Sequence, residues 1–160
     1  MRPVVFLVLL FSAIAQSTGS KLADPEKSRE EILRMHASDL AAVVHGDASD
    51  MASRLAAKLV TVDGGHIDRL TREELLGHMT EFFKDSQHRA ADDLETPIIQ
   101  VSEDGKMAWA IFRTRYRRDE VKPGGKIENS ESISASVFIY EKNDEKWLVT
   151  ASATTEEPAK

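Results

Sequence analysis

The chain has 160 residues, 21 basic and 27 acidic, with a net charge near −6 and no cysteine. The missing cysteines exclude disulfides, thiolate metal sites and a cysteine nucleophile. The acidic balance argues against nucleic acid as a partner, because lysine and arginine contacts to phosphate supply most of that affinity.

Residues 1–15 read as a signal peptide. Met1-Arg2 gives a positive start, Val4 to Phe11 an apolar run, and Ala13-Ile14-Ala15 the small-x-small spacing of a cleavage site before Gln16. The apolar stretch is shorter than the roughly 20 residues a spanning helix needs, so export to the periplasm or the medium is expected, with no membrane span after cleavage. Arg2 is the only charge in that segment, and its loss leaves 20 basic against 27 acidic residues, a net charge of −7. Residues 16–26 read as a flexible linker, 27–155 as one domain, and 156–160 as a disordered tail.

Helical signals come first. Asp24-Pro25 caps a helix over 25–45, whose Ile32, Met35, Leu40, Val43 and Val44 form an apolar stripe ending at Gly46. Asp47 opens a short second helix, and Leu59-Val60-Thr61-Val62 is a β-type run stopped by Asp63-Gly64-Gly65. Thr71 and Glu74 have capping-box spacing and open a third helix with Leu75, Met79, Phe82 and Phe83 on one side. From about residue 96 the chain reads as strands, with turns at Asp104-Gly105, Pro123-Gly124-Gly125 and Asn143-Asp144. Helices followed by strands imply an α+β fold, one helical layer on one antiparallel sheet. On the third long strand Ile133, Ala135, Val137 and Ile139 alternate with Ser132, Ser134, Ser136, Phe138 and Tyr140. Neither face is wholly polar, so a second subunit is expected on the face away from the helices.

This element order resembles the NTF2-like superfamily, in particular its SnoaL-like and DUF4440-like members. The residues that carry the resemblance are His45-Gly46-Asp47, Val62-Asp63-Gly64-Gly65, Leu70-Thr71-Arg72-Glu73-Glu74-Leu75 and Asp144-Glu145-Lys146-Trp147-Leu148-Val149, within approximately residues 27–155. The resemblance implies a cone, a curved sheet wrapped around three N-terminal helices, with an apolar pocket inside and a homodimer through the outer sheet face. Some members are isomerases or cyclases. In that alignment Asp63 stands where the isomerase base would sit, but Asp39 stands at the tyrosine position and Ser136 near the second acid, so two of the three roles are missing.

The candidate catalytic residues are therefore Asp63, His36 and Asp39, the last two at i, i+3 on the first helix as either an acid/base pair or a solvated pair. Phe82, Phe112, Tyr116, Ser134 and Ser136 are candidates for a ligand pocket, since small residues beside aromatics suit a cavity wall. Asp63, His66 and Asp68 lack a recognised ligand spacing, so neither a metal nor a cofactor is expected. Arg113, Arg115 and Arg117 share a strand face with Trp109 and Ile111, as an anion site or a solvated or dimer-edge stripe. Two functions remain open, of which the first is preferred. One is a non-catalytic module binding a small apolar molecule or forming a dimer; the other is a cyclase, isomerase or dehydratase using Asp63 or His36 as its base.

Overall fold

The computed structural model describes residues 24–157. The proposed signal peptide and most of the linker lie outside the described residues. Three helices, α1 (Pro25–His45), α2 (Ala48–Ser53) and α3 (Arg72–Asp85), lie in the concave side of a seven-stranded sheet. The strands are β1 (Leu55–Asp63), β2 (His66–Thr71), β3 (Ser86–Asp93), β4 (Ile98–Val101), β5 (Met107–Val121), β6 (Ile127–Asn143) and β7 (Lys146–Glu157). Their order is β2-β1-β7-β6-β5-β3, with β4 beside the first part of β5, and all pairs are antiparallel except β1 with β7. This is the helix-filled, curved and unclosed sheet expected for an NTF2-like cone.

Local chemistry sets the helix ends. The Asp24 carboxylate accepts from the Lys27 amide at the start of α1, and Gly46 ends it at φ 66°, a conformation that costs glycine little. A Cβ at Gly46 would stand 3.7 Å from Phe83, so the turn also fits α3 against α1. Thr71 and Glu74 form the reciprocal capping box at α3. The turn from β6 to β7 holds Asp144 and Glu145 both at positive φ, the geometry of a tight hairpin turn.

Three elements differ from the sequence reading. Ser86–Asp93 is a strand although SQHRAADD has no apolar alternation; it forms because its backbone completes the edge of β5, from Ser86 opposite Glu120 to Asp93 opposite Thr114. His66–Thr71 is the return strand of a hairpin with β1, in which His66 faces Asp63 and Asp68 faces Thr61. Glu156 and Glu157, assigned to a disordered tail, lie in β7 opposite Ser134 and Ile133. At the other end, Pro25 and Glu26 of the assigned linker are already in α1.

A bulge resolves which side of β7 looks inward. Lys142, Tyr140 and Phe138 share the concave face of β6; they meet Trp147, then Val149, then Ser152, because the register shifts between Ile139 and Tyr140. Trp147 and Val149 therefore point in at the base of the cone, and Ser152 and Thr154 point in nearer its mouth. The core sits at the base, where Ile32, fully buried on α1, meets Ile99, Ala108, Ala110, Phe112, Tyr140, Trp147 and Val149. The opposite face keeps Trp109, Val137 and Ile98 partly or largely exposed.

Candidate functional site

Where the core ends, the cone encloses a cavity of about 170 Å³. Its wall is mostly aliphatic and aromatic, from Leu40 and Val43 of α1, Leu59 of β1, Leu75 and Met79 of α3, and Phe138 of β6. His36 and Asp39 of α1, Arg54 at the end of α2, and Tyr116 and Tyr140 also line it. An apolar enclosure with a few converging polar groups is the usual form of a small-molecule site.

His36 is 8 % exposed, and its Nε2 lies 2.9 Å and 3.0 Å from the two carboxylate oxygens of Asp93. Asp93 is the last residue of β3 and also accepts from Thr114 Oγ1 at 3.0 Å, so the carboxylate is held from two sides. The Phe112 ring stacks on the imidazole at 3.7 Å and 10°, which fixes the ring plane. In the neutral imidazole, Nε2–H donates to Asp93, and Nδ1 is left as the acceptor. No described residue hydrogen-bonds to Nδ1. This is the arrangement of a general base oriented by a carboxylate.

Arg54 binds two acids at once. Its Nε donates to Asp39 at 2.5 Å, and its two terminal nitrogens donate to the Asp50 carboxylate at 2.9 Å each. Burial pushes the Asp39 carboxyl above the usual range in spite of Arg54, whereas the Arg54 contact holds the more exposed Asp50 below it. The Tyr140 ring is 2 % exposed, and no described side chain hydrogen-bonds to its hydroxyl. Burial, then the charge of Asp39, push that hydroxyl far above the ordinary tyrosine value, so it stays a proton donor. Burial also raises the Tyr116 hydroxyl.

The sequence candidates are thus sorted by place. His36, Asp39, Phe112, Tyr116 and Ser136 line the cavity. Ser136 spends its hydroxyl on Thr154 at 3.0 Å, and Ser134 is buried beside the cavity rather than in its wall. Asp63 is corrected: it is exposed at the end of β1, facing His66 across the hairpin. It lies four positions along the strand from Leu59, about 13 Å, which carries it past the pocket. Phe82 is also corrected, being 46 % exposed in the last turn of α3 against His88. His36 and Asp39 share the wall, but each takes a different partner. Arg113, Arg115 and Arg117 pair with Glu157, Glu131 and Asp92. Three residues were missed by the sequence reading. Asp93 lay on an unread strand and Tyr140 was placed only on a face. Arg54 had one signal, its i, i+4 spacing from Asp50.

A second cleft lies between the ends of α1 and α3 and the strands β3, β5 and β6. His88 borders it, 6 % exposed among the rings of Phe82, Phe83 and Tyr116, with Nδ1 unpartnered among the described residues. Burial and the nearby Arg118 push its pKa down to about 4 from 6.5. The unfolded chain then binds a proton that the folded chain refuses, so stability is present above 6.5 and lost as pH falls toward 4. Urea titrations at pH 7 and pH 4.5 should differ by about 2 kcal/mol from this residue. His88→Leu should remove most of that difference.

No family model matches the chain, and no curated protein matches it in sequence. Solved structures do share its fold. An NTF2-like superfamily protein from Salmonella enterica superposes with TM-score 0.62 at 14% identity, covering 84% of this chain and 94% of its own. An NTF2-like protein with a cystatin-like fold from Novosphingobium aromaticivorans gives 0.57 at 15%, covering 81% of each chain. A Streptomyces avermitilis protein named provisionally as a dehydratase of the NTF2-like family gives 0.55 at 14%, covering 82% and 97%. At these identities the likeness is one of architecture, and the conclusion it licenses is that this chain adopts the NTF2-like fold.

Proposed function

We propose that the protein is a small-molecule enzyme of the isomerase or dehydratase kind, in which His36 takes a proton from carbon next to a carbonyl inside the cone. The observation that carries this reading is the His36–Asp93 pair, with His36 lining an apolar cavity and no described residue hydrogen-bonded to its Nδ1. A pocket serving binding alone needs apolar groups and hydroxyls; this one also holds an oriented base and a hydroxyl that keeps its proton. In the reaction, Nδ1 accepts the proton and Asp93 stabilises the imidazolium that forms. The Tyr140 hydroxyl is the donor available to the developing enolate oxygen. The name of the Streptomyces protein agrees with this class of chemistry. The element order favours the SnoaL-like group within the fold, and the apolar run at 4–11 favours an exported protein.

The test uses cyclohex-3-en-1-one, whose C2 proton is both allylic and next to the carbonyl. Breaking C2–H and forming C4–H moves the double bond into conjugation, which is followed by ultraviolet absorbance. The protein should accelerate this shift over buffer, and Tyr140→Phe should slow it by about tenfold to a hundredfold. A rate equal to that of buffer would overturn the proposal.

We also propose a homodimer through the outer sheet face. Trp109, Val137 and Ile98 stand exposed there, with Ile67 and Val62 farther along the same sheet. Such a run of apolar side chains is more than a solvated sheet face normally presents. Sedimentation should give twice the chain mass, and Val137→Glu should give a monomer; a wild-type monomer at micromolar concentration would contradict the dimer.

A further inference from the structure

We infer that the cavity selects an uncharged ligand of single-ring size and rejects carboxylates, phosphates and multi-ring molecules; its chemistry, though not its size, rests on the proton-transfer reading above. Size comes first. A cavity of about 150 Å³ lined by leucine, isoleucine and phenylalanine is filled by one benzene molecule. The 170 Å³ here is little larger, so it accepts one six-membered ring with a substituent or two. A four-ring steroid is far larger than benzene and cannot be held whole in that volume.

Charge gives the second restriction. Arg54 is the one permanently cationic side chain among the described residues lining the cavity. It already faces two carboxylates, Asp39 and Asp50, three of its N–H groups being engaged. The other polar corner is His36 with Asp93 behind it. Three acids therefore stand around one arginine and one imidazole, and the one permanent positive charge that an entering anion would meet is already committed to Asp39 and Asp50. A ketone or alcohol would find a donor in Tyr140 and an acceptor in His36 among the lining residues, with apolar wall for the rest of the ring.

The experiment is isothermal titration of the full chain with three probes: cyclohexanone, cyclohexanecarboxylate and progesterone. Cyclohexanone should bind at least tenfold more tightly than either of the others. Asp39→Asn, which removes one acid from Arg54 and keeps the side-chain shape, should shift the ratio of cyclohexanecarboxylate to cyclohexanone affinity at least fivefold toward the carboxylate. Equal or tighter binding of the carboxylate or the steroid, or no binding of cyclohexanone at millimolar concentration, would overturn the inference. A protein that isomerises cyclohexenone but prefers the carboxylate would refute the selectivity and leave the proton transfer standing. A protein with the stated selectivity and no turnover would do the reverse.

Discussion

Replacing His36 by alanine should lower the rate of cyclohexenone isomerisation by about two to four orders of magnitude, the range expected when a positioned general base is lost. The binding of cyclohexanone should change by much less, since the wall residues that hold the ring remain. Asp93→Asn should give a smaller loss in rate. The amide still receives a hydrogen bond from Nε2–H but no longer stabilises the imidazolium. Alanine at 36 also opens a gap beside Phe112, so His36→Gln is the control that keeps the volume. If His36→Gln retained the wild-type rate, the base would have to be sought elsewhere, and among the groups in the wall only Asp39 could accept a proton in its place.

The second large effect concerns stability. Arg54 is 14 % exposed at the side chain and holds Asp39, which is 30 % exposed. Arg54→Met would leave that carboxylate in the cavity wall without its partner, at a cost of about 3 kcal/mol. The sign of its pH dependence follows from Asp39. Burial already raises this carboxyl. Without Arg54 it would rise further, and a group raised on folding withdraws stability as pH climbs through its folded value. The penalty should accordingly be larger at pH 8 than at pH 5. Adding Asp39→Leu should recover most of it, because both ends of the pair are then apolar. Urea unfolding of the two variants at both pH values decides the matter; an equal penalty at pH 5 and pH 8 would mean that Asp39 is not the residue left exposed to the loss.

Much of the fold was legible because local chemistry and global packing agree. Asp24-Pro25, Gly46 and the Thr71–Glu74 box mark helix ends by hydrogen bonds that form within a few residues, so no knowledge of the tertiary structure was needed. The alternation over residues 107–117 put Phe112 and Tyr116 on one face, and both line the cavity. β3 was not legible, since its pairing is decided by an unfilled edge of β5 rather than by its own side chains. With β3 went Asp93, and with Asp93 the meaning of His36, whose partner lies 57 residues away. Asp39 was read beside His36 on the same helix, yet Arg54 claims it from α2. The face of β7 turns on one bulge near Ile139, which alternation alone does not locate.

The most direct test is the long-range proton–nitrogen NMR spectrum of the histidine side chains, recorded for the full chain with and without cyclohexanone, His36 being assigned by its loss in His36→Gln. The arrangement described here requires a neutral His36 with hydrogen on Nε2 and none on Nδ1, and a Nδ1 resonance that moves when the ketone binds. Hydrogen found on Nδ1 in the neutral ring, or a His36 signal indifferent to ketone that demonstrably binds, would contradict a base poised in the cavity.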